Sequence, residues 1–305
     1  MSEPLFSVVI PTYKRPIELN RALQSVFSQT NDSYEVIIVD DNEPDSDDRQ
    51  ETQLVINGYS NHSITYIKNK KNMGGSQSRN IAIKYARGKF IAFLDDDDTW
   101  HTHKLEKQAE ILKKHQYNED LAIDTGFSII CKSGKKRFIK PRIQGNIYNK
   151  VLSKSKGRLP KLSSLVCSKS VLIKVGLFDA SLPSKQDYEL YIRLFKHVKL
   201  INLKESYVIN YRDKNDRISI NHEKKVQAFQ MVYKKHFKEI AKYRHIHSEY
   251  MRKFAIAYLF NKNENKAREC IKKSLLLWPF NIRSLLTIVT NFRRYTRLKG
   301  YQNGS

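Results

Sequence analysis

The first hundred residues alternate between two periodicities, and that alternation limits the fold more than any other feature of the chain. Phe6-Ser7-Val8-Val9-Ile10, Tyr34 to Val39, Ile64 to Ile67 and Phe90 to Leu94 are short apolar runs rich in β-branched and aromatic residues, which read as strands. Between them, Ile17 to Gln29 sets Leu19, Ala22, Leu23, Val26 and Phe27 at helical spacing. Glu51 to Asn57 suits a shorter helix, and Ser76 to Ala86 a third that ends near Gly88. Glu43 to Asp48 reads as a polar loop and Asn72-Met73-Gly74-Gly75 as a turn. This repetition predicts an α/β class with a mostly parallel central sheet flanked by helices. Ligands of such sheets collect beyond the carboxyl ends of the strands. Pro11-Thr12-Tyr13, Asp40-Asp41 and Asp95 to Asp98 all stand at strand exits, so three polar clusters are expected to meet on one edge.

The 305 residues suffice for one domain of about 200 residues and an extension. A content of 40% hydrophobic and 11% aromatic residues supports a packed core and excludes disorder as a reading of the whole chain. No apolar run approaches the roughly 18 residues of a membrane span. The nearest, Ser274 to Phe292, is interrupted by Pro279 and Arg283. The start of the chain lacks the basic and long apolar regions of a secretory leader, since its first apolar run stops at Pro11. Cys131, Cys167 and Cys270 are far apart and show no CxxC spacing, which fits a reducing cytoplasm with no disulfide framework and no zinc module.

Charge is uneven. The net charge is +24, yet residues 1–100 hold 11 Lys+Arg against 15 Asp+Glu, a net of −4. Residues 226–305 hold 17 against 4, a net of +13, and residues 101–225 carry the remaining +15. Such an excess suits nucleic acid, an anionic membrane surface or a negatively charged substrate. No zinc finger, RNP-like strand or heptad-plus-basic region supports nucleic acid, and a solvated basic surface is the plain alternative.

Four consecutive aspartates after a buried strand repel one another unless a cation is near. A divalent metal resolves the conflict, and Mn²⁺ or Mg²⁺ prefers carboxylate and phosphate oxygens. Asp95 and Asp97 fall on one side if the backbone stays extended. The competing structural account is an acidic helix cap, because a helix from Lys104 to His115 follows Thr99-Trp100. Neither His nor Cys stands in the cluster, which argues against zinc. No GxGxxG, Walker A or GxSxG sequence occurs, so a dinucleotide fold, a P-loop and an α/β-hydrolase are unsupported. The turn at Gly74-Gly75 either lets backbone approach a ligand or is a plain tight turn.

Val8-Val9-Ile10-Pro11-Thr12-Tyr13-Lys14-Arg15, Ile38-Val39-Asp40-Asp41-Asn42, Asn72-Met73-Gly74 with Arg79-Asn80, and Phe93-Leu94 with Asp95 to Asp98 resemble the inverting family 2 glycosyltransferases in order and spacing. Gly176-Leu177-Phe178-Asp179, Gln186-Asp187-Tyr188-Glu189-Leu190 and Arg193-Leu194 agree. The resemblance covers residues 5 to 220 and implies a GT-A fold, a nucleotide-binding α/β half fused to an acceptor-binding half. It places Pro11, Thr12 and Tyr13 against the nucleoside, with Arg15 and Gly74 in the same donor site. Asp41 accepts from the base, Arg79 lies near the base, Asp95 or Asp96 contacts the ribose, and Asp97 with Asp95 holds Mn²⁺ or Mg²⁺ against the diphosphate. Asp187 matches the general base. The family usually has Glu before that Asp where this chain has Gln186, so Asp187 lacks a like-charged neighbour. A helix Tyr188 to Lys196 follows, and Asp187 also suits its N-cap.

The resulting division is a glycosyltransferase domain over 1–225, with a nucleotide-sugar half at 1–100 and an acceptor half at 101–225, then a basic helical C-terminal extension at 226–305. From His101 to Asp187 the chain reads as Lys-rich and loop-rich, with Lys132 to Lys140 and Lys150 to Lys161 most basic. That charge suits an anionic or lipid-linked glycan acceptor, as in lipopolysaccharide, capsule or teichoic-acid synthesis. Helices are expected at Val226 to His236, Ser248 to Phe260, Lys262 to Leu277 and Ile282 to Phe292. The third of them makes one helix-turn-helix unit but no solenoid. The last, with Arg283, Arg293, Arg294, Arg297 and Lys299, suits the inner face of a membrane, the catalytic domain or a dimer contact. His222 follows Arg217-Ile218-Ser219 in a segment that closes over the donor in some relatives, although a lone histidine is more often structural. The opposing reading is a catalytically degenerate basic protein that binds polyanions. A nucleotidylyltransferase should carry a Gly-rich basic N-terminal loop, which is absent.

Overall fold

A computed structural model describes residues 3–131, 133–153, 159–212, 222–260 and 263–282. It divides into two compact units, one of residues 1–151, 156–182 and 186–220, the other of 152–155, 183–185 and 221–305. The segment 213–221 and the expected helix Ile282 to Phe292 beyond Ile282 lie outside the described residues, as do Lys132 and 154–158 within the two basic runs.

In the first unit the strands are β1 (Phe6–Thr12), β2 (Tyr34–Asp40), β3 (Ile64–Lys68), β4 (Phe90–Phe93), β5 (Asp98–Trp100), β6 (Leu121–Cys131), β7 (Lys136–Ile139), β8 (Val166–Ser168) and β9 (Lys199–Arg212). Its helices are α1 (Pro16–Phe27), α2 (Asp47–Asn57), α3 (Gly75–Tyr85), α4 (Lys104–Lys114), α5 (Tyr148–Leu152), α6 (Lys169–Lys174) and α7 (Gln186–Leu194). Among the described residues the strands make one sheet in the order β3-β2-β1-β4-β8-β6-β9-β5, with β7 on β6. It is parallel from β3 to β4, turns antiparallel on either side of β8, and is parallel again between β6 and β9.

The helices form for local reasons. Pro16 opens α1, whose Leu19, Ala22, Leu23 and Val26 are buried. The Ser46 hydroxyl accepts from the Arg49 N–H at 3.2 Å and caps α2, with Asp47 and Asp48 in its first turn. The helix therefore starts inside the expected Glu43–Asp48 loop. Gly88 packs so closely on β1 that a Cβ there would lie 2.6 Å from Phe6 C and Ser7 N. Beside it the buried Glu35 accepts from Ser7 Oγ at 2.7 Å and from the Arg87 N–H and Nε at 2.5 and 2.8 Å.

The 101–187 stretch is more regular than its composition suggests. It contains the eleven-residue β6, nine of whose residues are buried. Asp124, Thr125 and Ser128 interrupt its apolar pattern, and each is accommodated inside. Helix α4 begins after His103, which makes no side-chain cap bond, so none of the four aspartates is its cap.

The second unit holds α8 (His222–Lys235), α9 (Phe237–Ala241), α10 (Arg244–Phe260) and α11 (Glu264–Leu277). Phe229 stacks on Tyr250 with ring centroids 5.0 Å apart, and the buried Ser248 and Ser274 hydroxyls meet at 2.9 Å. Asn263 caps α11 through the Lys266 N–H at 3.1 Å.

Candidate active site

Parallel pairing sets Thr12 opposite Asp40 and Val9 opposite Phe93, so β1, β2 and β4 end on one edge. The three polar clusters meet there. The Asp41 N–H donates to the Thr12 carbonyl at 2.9 Å. The Tyr13 N–H reaches Asp96 Oδ2 at 3.4 Å, and the Lys14 N–H reaches Asn42 Oδ1 at 2.7 Å.

Asp41 is buried and builds the turn that follows β3. Its Oδ1 accepts from Asn69 Nδ2 and the Met73 N–H, each at 2.7 Å, and its Oδ2 from the Gly74 N–H at 2.7 Å. A carboxylate offers about four acceptor positions, so one remains on Oδ2. Gly74 stands at φ +81, a conformation L side chains rarely adopt, with open space where a Cβ would be. Arg79, four residues into α3, donates to Asp95 at 2.5 Å rather than standing apart from the acid run.

The aspartates are not extended. The Asp98 N–H donates to the Asp95 carbonyl at 3.0 Å, closing a turn between β4 and β5. This turn sends neighbouring carboxylates to different partners. Asp95 takes Arg79, and Asp96 takes the Tyr13 N–H and Arg15. Asp97 takes Arg15 at 2.8 Å. Asp98, fully buried, accepts from Lys161, Ser163 and Asn210 Nδ2. Burial opposes ionisation of Asp95, but Arg79 and then Lys161 outweigh it and hold the carboxyl below its ordinary range. Asp96 goes the other way: burial pushes it up to about 7, with Asp97 and Asp95 adding to the effect against Arg15.

Oxygens of Asp95, Asp97 and Asp98 lie within 4.8 Å of one another, and all are hard donors, so the residues fit a hard divalent ion. Asp98 is the most committed of the three and Asp97 the most open, its side chain 38% exposed.

Asp187 is the second residue of α7, inside the first turn rather than at its cap, and is exposed. Buried Glu189 pairs with Arg193 at 2.5 Å, and Arg193 donates to the Leu177 carbonyl at 2.6 Å. The next residue, Phe178, exchanges bonds of 2.8 and 2.9 Å with Asn80 of α3. Its ring meets Phe93 edge-on at 5.7 Å. Tyr191, fully buried one turn beyond Asp187, donates to the Pro160 carbonyl at 3.2 Å, beside Lys161. Burial first, then the charges of Asp187, Asp124 and Asp95, push the Tyr191 hydroxyl well above its ordinary range.

Reading the sequence missed Lys161, Ser163, Asn210, Asn69 and Arg21, whose Nη2 donates to the Asp97 carbonyl at 3.4 Å. Lys161 was visible only as part of a basic run. His222 opens α8, and its side chain is outside the described residues.

Residues 7–172 match the family model "Glycosyl transferase family 2". The chain belongs to glycosyl transferase family 2. A Rickettsia felis protein named "Uncharacterized glycosyltransferase" is 32% identical over 216 residues, 68% of this chain. The match spans only 34% of that protein's own length. The Escherichia coli UDP-Glc:alpha-D-GlcNAc-diphosphoundecaprenol beta-1,3-glucosyltransferase WfgD is 30% identical over 227 residues, 72% of this chain and 82% of WfgD. Staphylococcus aureus TarS 1-349, solved with UDP-GlcNAc, superposes with a TM-score of 0.67 over 89% of this chain and 81% of its own, at 16% identity. The fold of this family 2 chain is GT-A, as the motif order implied.

Proposed function

We propose that the chain is an inverting, metal-dependent glycosyltransferase that moves a sugar from a UDP-sugar to a lipid-linked glycan during synthesis of a bacterial cell-surface polysaccharide, of lipopolysaccharide, capsule or teichoic-acid type. The observation that carries the reading is the meeting of Tyr13, Asp41 and the Asp95–Asp98 turn at one sheet edge in a family 2 chain. The donor and acceptor classes draw on the name of WfgD.

In this reading the nucleoside lies against Pro11, Thr12 and Tyr13, and the free position of Asp41 Oδ2 accepts from the base. Arg15, Gly74 and Arg79 line the donor site, and Asp95 or Asp96 takes the ribose. Asp97 and Asp95 would hold Mn²⁺ or Mg²⁺, which when bound would supply neutralisation of charge on the departing diphosphate. Asp187 is open to solvent on a helix fixed through Glu189 and Arg193, which suits a base that must meet an incoming acceptor. It takes the proton of the acceptor hydroxyl as that oxygen bonds to the anomeric carbon. The bond from that carbon to phosphate oxygen breaks on the opposite face, and the nucleoside diphosphate leaves with the electron pair. A single displacement inverts the anomeric configuration.

Among the described residues no helix is long and apolar enough to cross a membrane. We assign the +13 of residues 226–305 to peripheral contact with the inner membrane face, where a lipid-linked acceptor resides. Calorimetric titration of UDP with Mn²⁺, against GDP, CDP and metal-free UDP, tests the donor site. Metal-dependent binding of UDP, lost in Asp97→Ala, is the expected result. A folded protein that binds no nucleotide would sink the reading.

A further inference from the structure

Arg15 stands at the carboxylate that the proposed ion needs. Its Nη1 is 2.8 Å from Asp97 Oδ2 and 3.3 Å from Asp96 Oδ1. Asp95 and Asp98 are held by different cations, Arg79 and Lys161, whereas Asp96 shares Arg15. Among the described residues the Asp97 carboxylate is paired with a single guanidinium, that of Arg15, which is itself 24% exposed and within reach of solvent. A divalent ion arriving at Asp97 would meet a like charge at contact distance. Arg15 and the ion exclude one another at that oxygen.

Arg15 also has somewhere else to go. It directly precedes α1 at the exit of β1, on the loop whose Tyr13 N–H bonds to Asp96. A nucleoside diphosphate brings several negative charges to that edge, and guanidinium binds phosphate oxygens in bidentate fashion. We infer that Arg15 is a handover residue: it holds Asp97 while the donor is absent, passes to the donor diphosphate on binding, and so releases Asp97 to the ion. Nucleotide and metal then load together, and each strengthens the other by the same factor. The inference rests on the metal-dependent nucleotide-sugar reading above and goes beyond it in making Asp97 closed to metal until the donor arrives.

The test is the Mn²⁺ affinity of wild type, Arg15→Gln and Arg15→Lys, measured by electron paramagnetic resonance of free Mn²⁺, with and without saturating UDP and corrected for Mn²⁺ bound by UDP in solution. Without UDP, Arg15→Gln is expected to bind Mn²⁺ about tenfold more tightly than wild type, a typical coupling between sites, and to show a smaller gain on adding UDP. Arg15→Lys keeps the charge at Asp97 but not the planar guanidinium that takes phosphate oxygens in bidentate fashion, so it should fall between them. It carries the test if the glutamine variant does not fold. Unchanged or weaker Mn²⁺ binding in the variants, with wild type still loading Mn²⁺ alongside UDP, overturns the handover and leaves the proposed function standing. Wild type that binds no Mn²⁺ even with UDP overturns both.

Discussion

Asp96 is a residue whose ionisation works against the fold. Burial lifts its pKa to about 7, whereas an unfolded aspartate titrates near 3.9. Between those values the native state binds the extra proton, so its contribution to stability is full below about pH 4 and lost as pH rises through about 7. Asp96→Asn removes that loss. Its melting temperature relative to wild type should therefore climb between pH 4 and pH 7 and level off above, and a difference independent of pH would contradict the assignment. Asp187 makes the sharper functional prediction. Asp187→Asn should lower kcat by about 10²- to 10⁴-fold, the usual worth of a general base, while UDP affinity stays within twofold of wild type. Loss of UDP binding along with kcat would show that Asp187 serves the donor instead. The acids themselves were legible in the sequence because they stand at strand exits, where a buried apolar run stops abruptly. Their partners were not. Lys161, Ser163 and Asn210 reach Asp98 from 63, 65 and 112 residues away, and no local pattern announces such contacts.

At the scale of elements, α2 and α3 bury polar residues such as Thr52, Ser78 and Asn80 beside Ile56 and Ile83, whereas the first four strands and α1 follow from periodicity, α1 burying the apolar stripe Leu19, Ala22, Leu23 and Val26. Strand β6 did not, because Asp124, Thr125 and Ser128 are polar residues that the fold buries with partners: Ser164 Oγ bonds Asp124 at 2.5 Å and Ser206 Oγ meets Ser128 at 2.8 Å. The reading of the acid run carries one condition, that Asp95 and Asp97 share a side if the backbone stays extended; the Asp98 N–H bond to the Asp95 carbonyl closes a turn instead, and the two carboxylates still stand within 4.8 Å with Asp98. Helix α7 offers an element-level test. Glu189 is fully buried and answers the charge of Arg193, which in turn holds the Gly176–Phe178 loop through the Leu177 carbonyl. Removing one partner of a buried pair strands the other, so Glu189→Ala should destabilise the α/β unit by about 3–5 kcal/mol in chemical denaturation. A change under about 1 kcal/mol would mean that Arg193 finds water on its own, as exposed pairs do.

At the scale of the whole molecule, the net charge is −4 over residues 1–100 and +13 over 226–305, so acidic and basic character are separated along one chain. Cosedimentation with vesicles should distinguish membrane contact from a merely soluble basic surface. Binding is expected to vesicles containing phosphatidylglycerol, not to neutral ones, and should disappear near 1 M salt, where the screening length falls to about 3 Å. Equal binding to neutral vesicles would assign the contact to apolar insertion instead. The Asp41 carboxylate carries a consequence of another kind. Three of its hydrogen bonds come from Asn69, Met73 and Gly74 of the same protein, so in the proposed donor site one side chain would be at once part of the wall and the group that meets the nucleobase. A descendant that changes its nucleobase preference here must rebuild the 69–74 turn in the same step, and so base choice should drift far more slowly in this lineage than the choice of sugar.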